Sequence, residues 1–344
     1  MYSPRVIKDL RLHWLTPFSG QLSDLESANL ASVRMRAAVA LRAAERADWH
    51  YSFGPQVNLN PRATDLCVVV GKLGSNDVER LASVWLENLA QAKKRVAGCR
   101  IVVDYTDHHL GAETELSNFY RALLPVADAV IVPSSALAVQ LQPRFSGSVF
   151  VVPDTLEVSI TPPVRHQHAP PRALWFGHGT NLIYLAQALA PMGRQLQGAP
   201  LELRVLSNRP ALEQFKRALT AIPEGIALKA GDWSLAAMQA QAAECDFCLL
   251  PSDPHDARKM GVSSNRLLTA LAMGLPVAAS PLASYKKFSE FFLDLEAGGL
   301  LEFVSAPDRF HDRVMRAQQT VLNDYLAPSM RMRWLDCLGT LMKT

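Results

Sequence analysis

Short apolar runs alternate with amphipathic stretches along most of this chain. Residues 10–16, Asp65–Val70 (DLCVVV), residues 99–103, Ala129–Val132 (AVIV) and residues 149–152 (VFVV) have strand length. Each is closed by Gly, Pro or polar residues, which predicts buried strands. Between them, residues 31–47 are rich in Ala and Arg and predict a helix. A second helix carries Val78, Leu81, Ala82, Trp85, Leu89 and Ala92 at helical spacing, with Asn76 and Glu79 as a capping box and Gly98 at its far end. A third runs through residues 119–124.

The second half repeats the pattern. Residues 173–176, 201–206, 226–229 and Phe247–Leu250 predict strands, each followed by a polar loop and a helical segment. The last run stops at Pro251. Ser263, Ser264 and Asn265 are all N-cap types, so the helix bearing Leu267, Leu268 and Leu271 starts there and leads through a Gly-Leu-Pro turn to one more strand. After Asp308 the pattern is helical to the end, interrupted near Pro328.

Strands alternating with helices imply parallel sheets in doubly wound α/β domains, and 344 residues suffice for two cores. Residues 161–172 (TPPVRHQHAPPR) hold four prolines in twelve residues and cannot sit inside a sheet, so they mark a linker in which His166 and His168 are expected to be solvated, with metal binding as the alternative. The expected organisation is a domain over residues 1–160, the linker over 161–172, a second domain over 173–310, and C-terminal helices over 311–344 that pack back across both.

Composition narrows the class. Apolar residues are 49% and charged residues 19% of the chain, which suits a globular protein. A net charge of +3 is too small to argue for nucleic acid, so no nucleic-acid partner is expected. No run reaches the length of a membrane span and the start MYSPRVIKDL lacks an apolar h-region, so a cytoplasmic location is expected. Five scattered cysteines fit buried thiols in a reducing compartment; Cys245 and Cys248 form a CxxC on a strand, where they face opposite ways, and are not read as a metal or redox pair. Arg309, Arg313, Arg316, Arg331 and Arg333, interspersed with Leu, Met, Val and Trp334, make the C-terminal stretch amphipathic. Packing is its expected role, with peripheral contact to the inner face of an anionic membrane as the alternative.

In doubly wound domains ligands meet the loops beyond the carboxyl ends of the strands, and two such domains form a cleft. The first domain offers Ser19, Gly20, Lys72 and residues 104–109 there; the second offers Gly177–Asn181, Asn208, Arg209, residues 253–259 and Ser263, Ser264, Asn265 and Arg266. A helix start beside Lys259 and Arg266 is a place to hold phosphate, whereas the acids and imidazoles of the first domain suit hydroxyl groups of a neutral ligand. Each has a plainer reading: Asp104 and Asp107 as helix caps, His108 as a packed residue, Lys259 and Arg266 as solvated charges. Arg34 and Arg36 read as surface charges or ligand contacts, and Trp175 and Trp233 as packing.

ADAVIVPSSALAVQL followed by VFVVPDTLEV resembles the end of the N-terminal domain in GT-B glycosyltransferases, and CDFCLLPSD with LLTALAMGLPVAASPLASY resembles their nucleotide-sugar site. SVRMR at residues 32–36 resembles a further element found after the first strand in some of these enzymes. The resemblance covers most of the chain in order and spacing. It implies two Rossmann-like domains, a nucleoside-diphosphate-sugar donor held mainly by the C-terminal domain, a glycan or lipid-linked acceptor on the N-terminal side, and no tightly bound cofactor.

The donor contacts it carries over are Gly20, Gly177, Gly179, Asn181, Arg209, Lys259, Ser263, Ser264, Asn265 and Arg266. Arg209 and Lys259 would stabilise the departing diphosphate, and no metal is required where cations and helix termini carry that charge. In an inverting reaction Asp107 or His108 would be the base; a retaining one needs none from the protein. The large retaining branch carries an E-x7-E motif, and Gly261 and Thr269 stand at its two positions. Neither offers bidentate acceptance to ribose hydroxyls, so Asn265 or Asp256 would have to substitute. The expected activity is glycosyl transfer. A GT-B-shaped nucleotide-, glycan- or partner-binding protein without turnover, and a nucleotide-sugar epimerase, are the alternatives.

Overall fold

The computed structural model describes residues 11–57, 65–74, 76–111, 113–163, 168–219 and 221–343; the chain start and His166 lie outside them. The chain forms two units. One comprises Met1–Thr155, Met260–Ser263 and Tyr325–Thr344, the other Leu156–Lys259 and Ser264–Asp324.

The first unit is built on six parallel strands: β1 (Arg11–Leu15), β2 (His50–Gly54), β3 (Asp65–Val70), β4 (Gly98–Asp104), β5 (Ala129–Val132) and β6 (Ser148–Val151), in the order β2-β1-β3-β4-β5-β6. The inner strands are buried on both faces, as parallel strands under two helical layers must be, and so read as continuous apolar runs. One layer packs Trp85 and Leu89 of the Val78–Arg95 helix with Phe119 and Tyr120 of Glu115–Leu123. The other packs Val39, Leu41 and Ala44 with Trp334 and Leu338 of the Ala327–Leu341 helix, whose Trp334 meets Trp14 edge-on at 5.4 Å. The apolar face of this last helix is therefore buried in the first unit's own core.

Three local expectations change. The helix expected over 31–47 opens as a π-helix, Val33–Ala38, before the α-helix Val39–Arg46; wide turns of this kind cluster at functional sites. Asp77, not Asn76, is the N-cap of the Val78–Arg95 helix, and it makes no side-chain cap bond. That helix ends at the cap Val96, so Gly98 opens β4 instead. Strand β2 went unread because its alternating, half-exposed sequence HYSFG lies at the sheet edge.

The second unit repeats the plan with β7 (Arg172–Phe176), β8 (Leu201–Ser207), β9 (Ile226–Asp232), β10 (Phe247–Leu250), β11 (Val277–Ala279) and β12 (Leu293–Asp294), ordered β12-β11-β10-β7-β8-β9 and parallel throughout. Its core gathers Trp175, Leu185, Val205, Phe247 and Phe303. Pro328 opens the final helix in its first turn, where a missing N–H costs nothing, rather than interrupting one. His168 is not a solvated linker residue: its Nδ1 lies 3.1 Å from both carboxylate oxygens of the buried Asp246. Among the described residues no helix is long and apolar enough to cross a membrane.

Each sheet reverses its winding direction once. The reversal falls between β1 and β3 in the first unit and between β7 and β10 in the second. Such switch points open a crevice at the carboxyl ends of the strands, where α/β sheets bind ligands.

Candidate functional site

At the second unit's switch point, β7 ends in Phe176 and runs into the loop Gly177–Asn181. Gly177 N–H donates to Leu206 O and Ser207 Oγ donates to Gly177 O, at 3.1 and 2.9 Å, which fixes the loop against the end of β8. The guanidinium of Arg266, from the first turn of the Asn265–Ala272 helix, lies over the Trp175 ring at 5.0 Å and donates from Nε to Phe176 O at 2.9 Å. A β-carbon on Gly177 would stand 3.1 Å from Arg266 Cζ, so only glycine leaves this stacking undisturbed.

Arg266 Nη2 is buried and has no hydrogen-bond partner among the described residues, and no carboxylate is paired with this cation. Burial pulls the Arg266 guanidinium below the usual arginine value. An uncompensated buried cation is costly.

Lys259 reaches the other end of the same loop. Its Nζ donates to Asn181 Oδ1 at 2.6 Å and stands 5.0 Å above the Tyr184 ring. Tyr184 Oη donates to Asp256 Oδ2 at 2.7 Å, and Arg258 grips the same carboxylate through Nε and Nη2. The bond from Arg258, with those from Tyr184 and a backbone N–H, holds the Asp256 carboxyl well below the usual range. Asp256 is thus committed to the loop and is not a free acceptor for a ribose.

The remaining expected donor contacts are less open. Arg209 is exposed at the start of the Arg209–Ala218 helix and forms an ion pair with Asp232 at 2.6 Å. Gly179 lies against that helix start, where a β-carbon would overlap Ala211 Cβ. Ser264 is the N-cap of the Asn265–Ala272 helix but makes no side-chain cap bond, while Thr269 Oγ1 donates to Asn265 Oδ1 at 3.2 Å. Ser263 falls in the first unit with Gly261, whose carbonyl accepts from Ser134 Oγ at 2.8 Å. A β-carbon at Gly261 would come within 2.6 Å of Leu137, so no side chain fits at that position.

In the first unit the loop amide after Gly20 is already used: Gln21 N–H donates to Asp24 Oδ2 at 2.7 Å, which puts a carboxylate where a phosphate would have to approach. Beyond β3 and β4, Lys72 pairs with Asp107, which also accepts from Thr106 Oγ1 at 3.4 Å. Asp107 is therefore an ion-pair partner; the cap of the Glu115–Leu123 helix is Thr114. His108 is half-buried, its Nδ1 unpartnered, and burial together with Arg144 lowers its pKa. His109 stacks on Tyr120 at 4.5 Å and its pKa is pushed down to about 4 by burial.

Two charges expected at the surface or at a cap are instead buried against each other. Arg36 is fully enclosed and donates to both oxygens of Asp104, at 2.6–3.0 Å, to Val152 O at 2.7 Å and to Asp154 Oδ1 at 3.0 Å. Its guanidinium also stacks 5.1 Å from Trp334. Only the SVRMR element hinted at Arg36; Asp154, in PDT after β6, carried no periodic signal of its own.

No protein-family model and no curated protein matches the chain. Its fold is that of solved GT-B structures. The sucrose-phosphate synthase of Thermosynechococcus elongatus superposes with a TM-score of 0.62 at 12% identity, covering 98% of this chain and 100% of that one. A glycosyltransferase from Rickettsia africae gives 0.60 at 11%, over 98% and 100%. An alpha-glucosyltransferase in complex with UDP-glucose and DNA containing an abasic site gives 0.57 at 11%, over 96% and 99%. The chain spans 58% and 55% of the lengths of the GtfA/B and TarM structures it also resembles, with TM-scores of 0.53 and 0.55.

Proposed function

We propose that this protein is a glycosyltransferase that takes its sugar from a nucleoside-diphosphate donor bound at the second unit's switch point and passes it to a glycan or lipid-linked acceptor. The observation that carries this reading is Arg266, a guanidinium without a counter-charge among the described residues, at the place where α/β sheets bind ligands. Lys259, at the far end of the same loop, supplies a second cation. As the bond between sugar and diphosphate breaks, negative charge grows on the leaving phosphate, and two preplaced cations lower the barrier by meeting it there. Arg209, engaged with Asp232 and exposed, contributes less. UDP-glucose in the alpha-glucosyltransferase of the same fold supports a nucleotide-sugar donor.

Asp107 and His108 remain the groups nearest to base chemistry in the first unit. His108 is neutral near pH 7 because burial and Arg144 lower its pKa, so it can accept a proton from an attacking hydroxyl. Asp107 already neutralises Lys72. A small net charge argues against nucleic acid as acceptor, but the alpha-glucosyltransferase with bound DNA shares the fold, so DNA is included among acceptors to be tried.

Thermal-shift titration with UDP, GDP, ADP and dTDP, followed by assay of diphosphate release from the matching sugar donors, tests the reading. Stabilisation by at least one diphosphate and its slow release from a donor are expected. Absence of stabilisation by all four would overturn the proposal. A second reading, nucleotide binding without turnover, is favoured by Gly261, where no side chain fits; binding with no release from any donor would select it.

A further inference from the structure

The first unit also carries charges at the carboxyl ends of its strands, and their geometry is specific. Lys72 follows β3, Asp104 ends β4, Asp107 follows it, Asp154 follows β6, and Arg36 lies on the π-helix after β1. Arg36 and Asp104 form a buried floor, with side chains 0% and 1% exposed. Lys72, Asp107 and Asp154 are partly open, at 25%, 39% and 16%. Burial pulls the Lys72 ammonium down, but Asp107, Asp154 and Asp104 more than offset it, which places all three within electrostatic reach of one lysine.

Asp154 is held by one oxygen. Its Oδ1 accepts from Arg36 Nη1 at 3.0 Å, while Oδ2 accepts no hydrogen bond among the described residues. A buried ion pair stabilises a fold poorly, since desolvation cancels much of the attraction. Here its second arm does something else: it orients a partly open carboxylate beyond the end of β6. Two cations face three carboxylates, so the cluster leans negative and repels phosphate. A hydroxyl suits it, because it can donate to Asp154 and accept from Lys72.

We propose that Asp154 receives a hydroxyl group of a neutral, polyhydroxylated acceptor at the carboxyl edge of the first sheet, and that Arg36 is its positioning residue. This rests on the glycosyltransferase reading and names its acceptor as a neutral sugar rather than a lipid phosphate.

The test is saturation-transfer NMR on the full chain with glucose, galactose, mannose and N-acetylglucosamine, and with inorganic phosphate as the anionic probe. Transfer to at least one neutral sugar and none to phosphate is expected. Asp154→Ala should weaken that sugar's binding about tenfold or more, the loss of one hydrogen bond to a charged group, while diphosphate-induced thermal stabilisation stays at the wild-type value. Arg36→Lys, which keeps charge but not the bidentate geometry, should weaken sugar binding with Asp154 intact. In turnover, Asp154→Ala should raise the acceptor KM more than it lowers kcat; a merely structural role would instead reduce donor binding in parallel. No transfer to any sugar, transfer to phosphate, or sugar binding unchanged in Asp154→Ala would overturn the proposal. The two readings fail separately: sugar binding without any diphosphate stabilisation removes the donor assignment and leaves this site standing.

Discussion

Arg266 packs where Gly177 has no side chain: its guanidinium carbon would lie only 3.1 Å from a β-carbon at residue 177, and the glycine lets the cation reach Phe176 O at the end of β7. The contact joins the helix that begins at Asn265 to the loop between β7 and the next helix. It also leaves one guanidinium nitrogen buried and unused.

Arg266→Met should therefore cost little in folding. Loss of the bond to Phe176 O is offset by removal of an unpaired buried charge, so the unfolding free energy in urea should stay within about 1 kcal/mol of wild type. Thermal stabilisation by the cognate diphosphate should disappear. Gly177→Ala, which pushes on the same guanidinium, should reduce it in part. A destabilised Arg266→Met protein that still binds diphosphate would contradict the assignment.

Lys259 and Arg209 were paired in the reading of the chain, and the structure separates them. Lys259→Ala should lower donor turnover about a hundredfold, the usual cost of removing one donor to developing charge. Arg209→Ala should leave it within about threefold, because its exposed guanidinium is committed to Asp232. Steady-state release of diphosphate from a single donor measures both.

Breaking the pair beneath the first sheet should be expensive. Asp104→Ala leaves the enclosed Arg36 with Asp154 alone and is expected to cost about 3–5 kcal/mol in urea unfolding. Replacing both residues, as Arg36→Met with Asp104→Leu, should cost less than Asp104→Ala alone, since the fully enclosed guanidinium is removed with its main partner and only the partly open Asp154 loses a contact.

Two histidines make stability depend on pH. Burial pushes His13 and His109 down to about 4, from an ordinary value of 6.5. Below 6.5 the unfolded chain takes up protons that the folded chain refuses, so stability should fall as pH drops from 6.5 towards 4 and be level above that window. His109→Phe, which keeps the ring stacked on Tyr120, should shallow that slope in urea titrations at several pH values. An unchanged slope would show that His109 protonates freely in the folded state.

Much of the architecture was legible in the chain. AVIV and FCLL are apolar on every position and DLCVVV on all but its exposed first residue, Asp65, which only a strand covered on both faces requires, and they became β5, β10 and β3. Two edge strands were not legible: HYSFG and Leu293–Asp294 pair on one side only, so few of their positions need to be apolar. On the candidate site, the sequence placed Lys259, Arg266 and the glycine loop near strand ends, because loop position follows from strand order.

What it could not decide was how each charge is used. Arg36, Arg209 and Arg266 look alike as letters beside helix starts. Tertiary contacts make the first a buried tie between Asp104 and Asp154, the second an exposed ion pair, and the third a cation bonded to a backbone carbonyl with no carboxylate paired to it among the described residues. Hydrophobic periodicity is a local property, set by which face of an element meets the core, so the sequence alone determines it. The partner of a charge is a long-range property: Arg36 and Asp154 are 118 positions apart and meet only because β6 lies where the sheet order puts it.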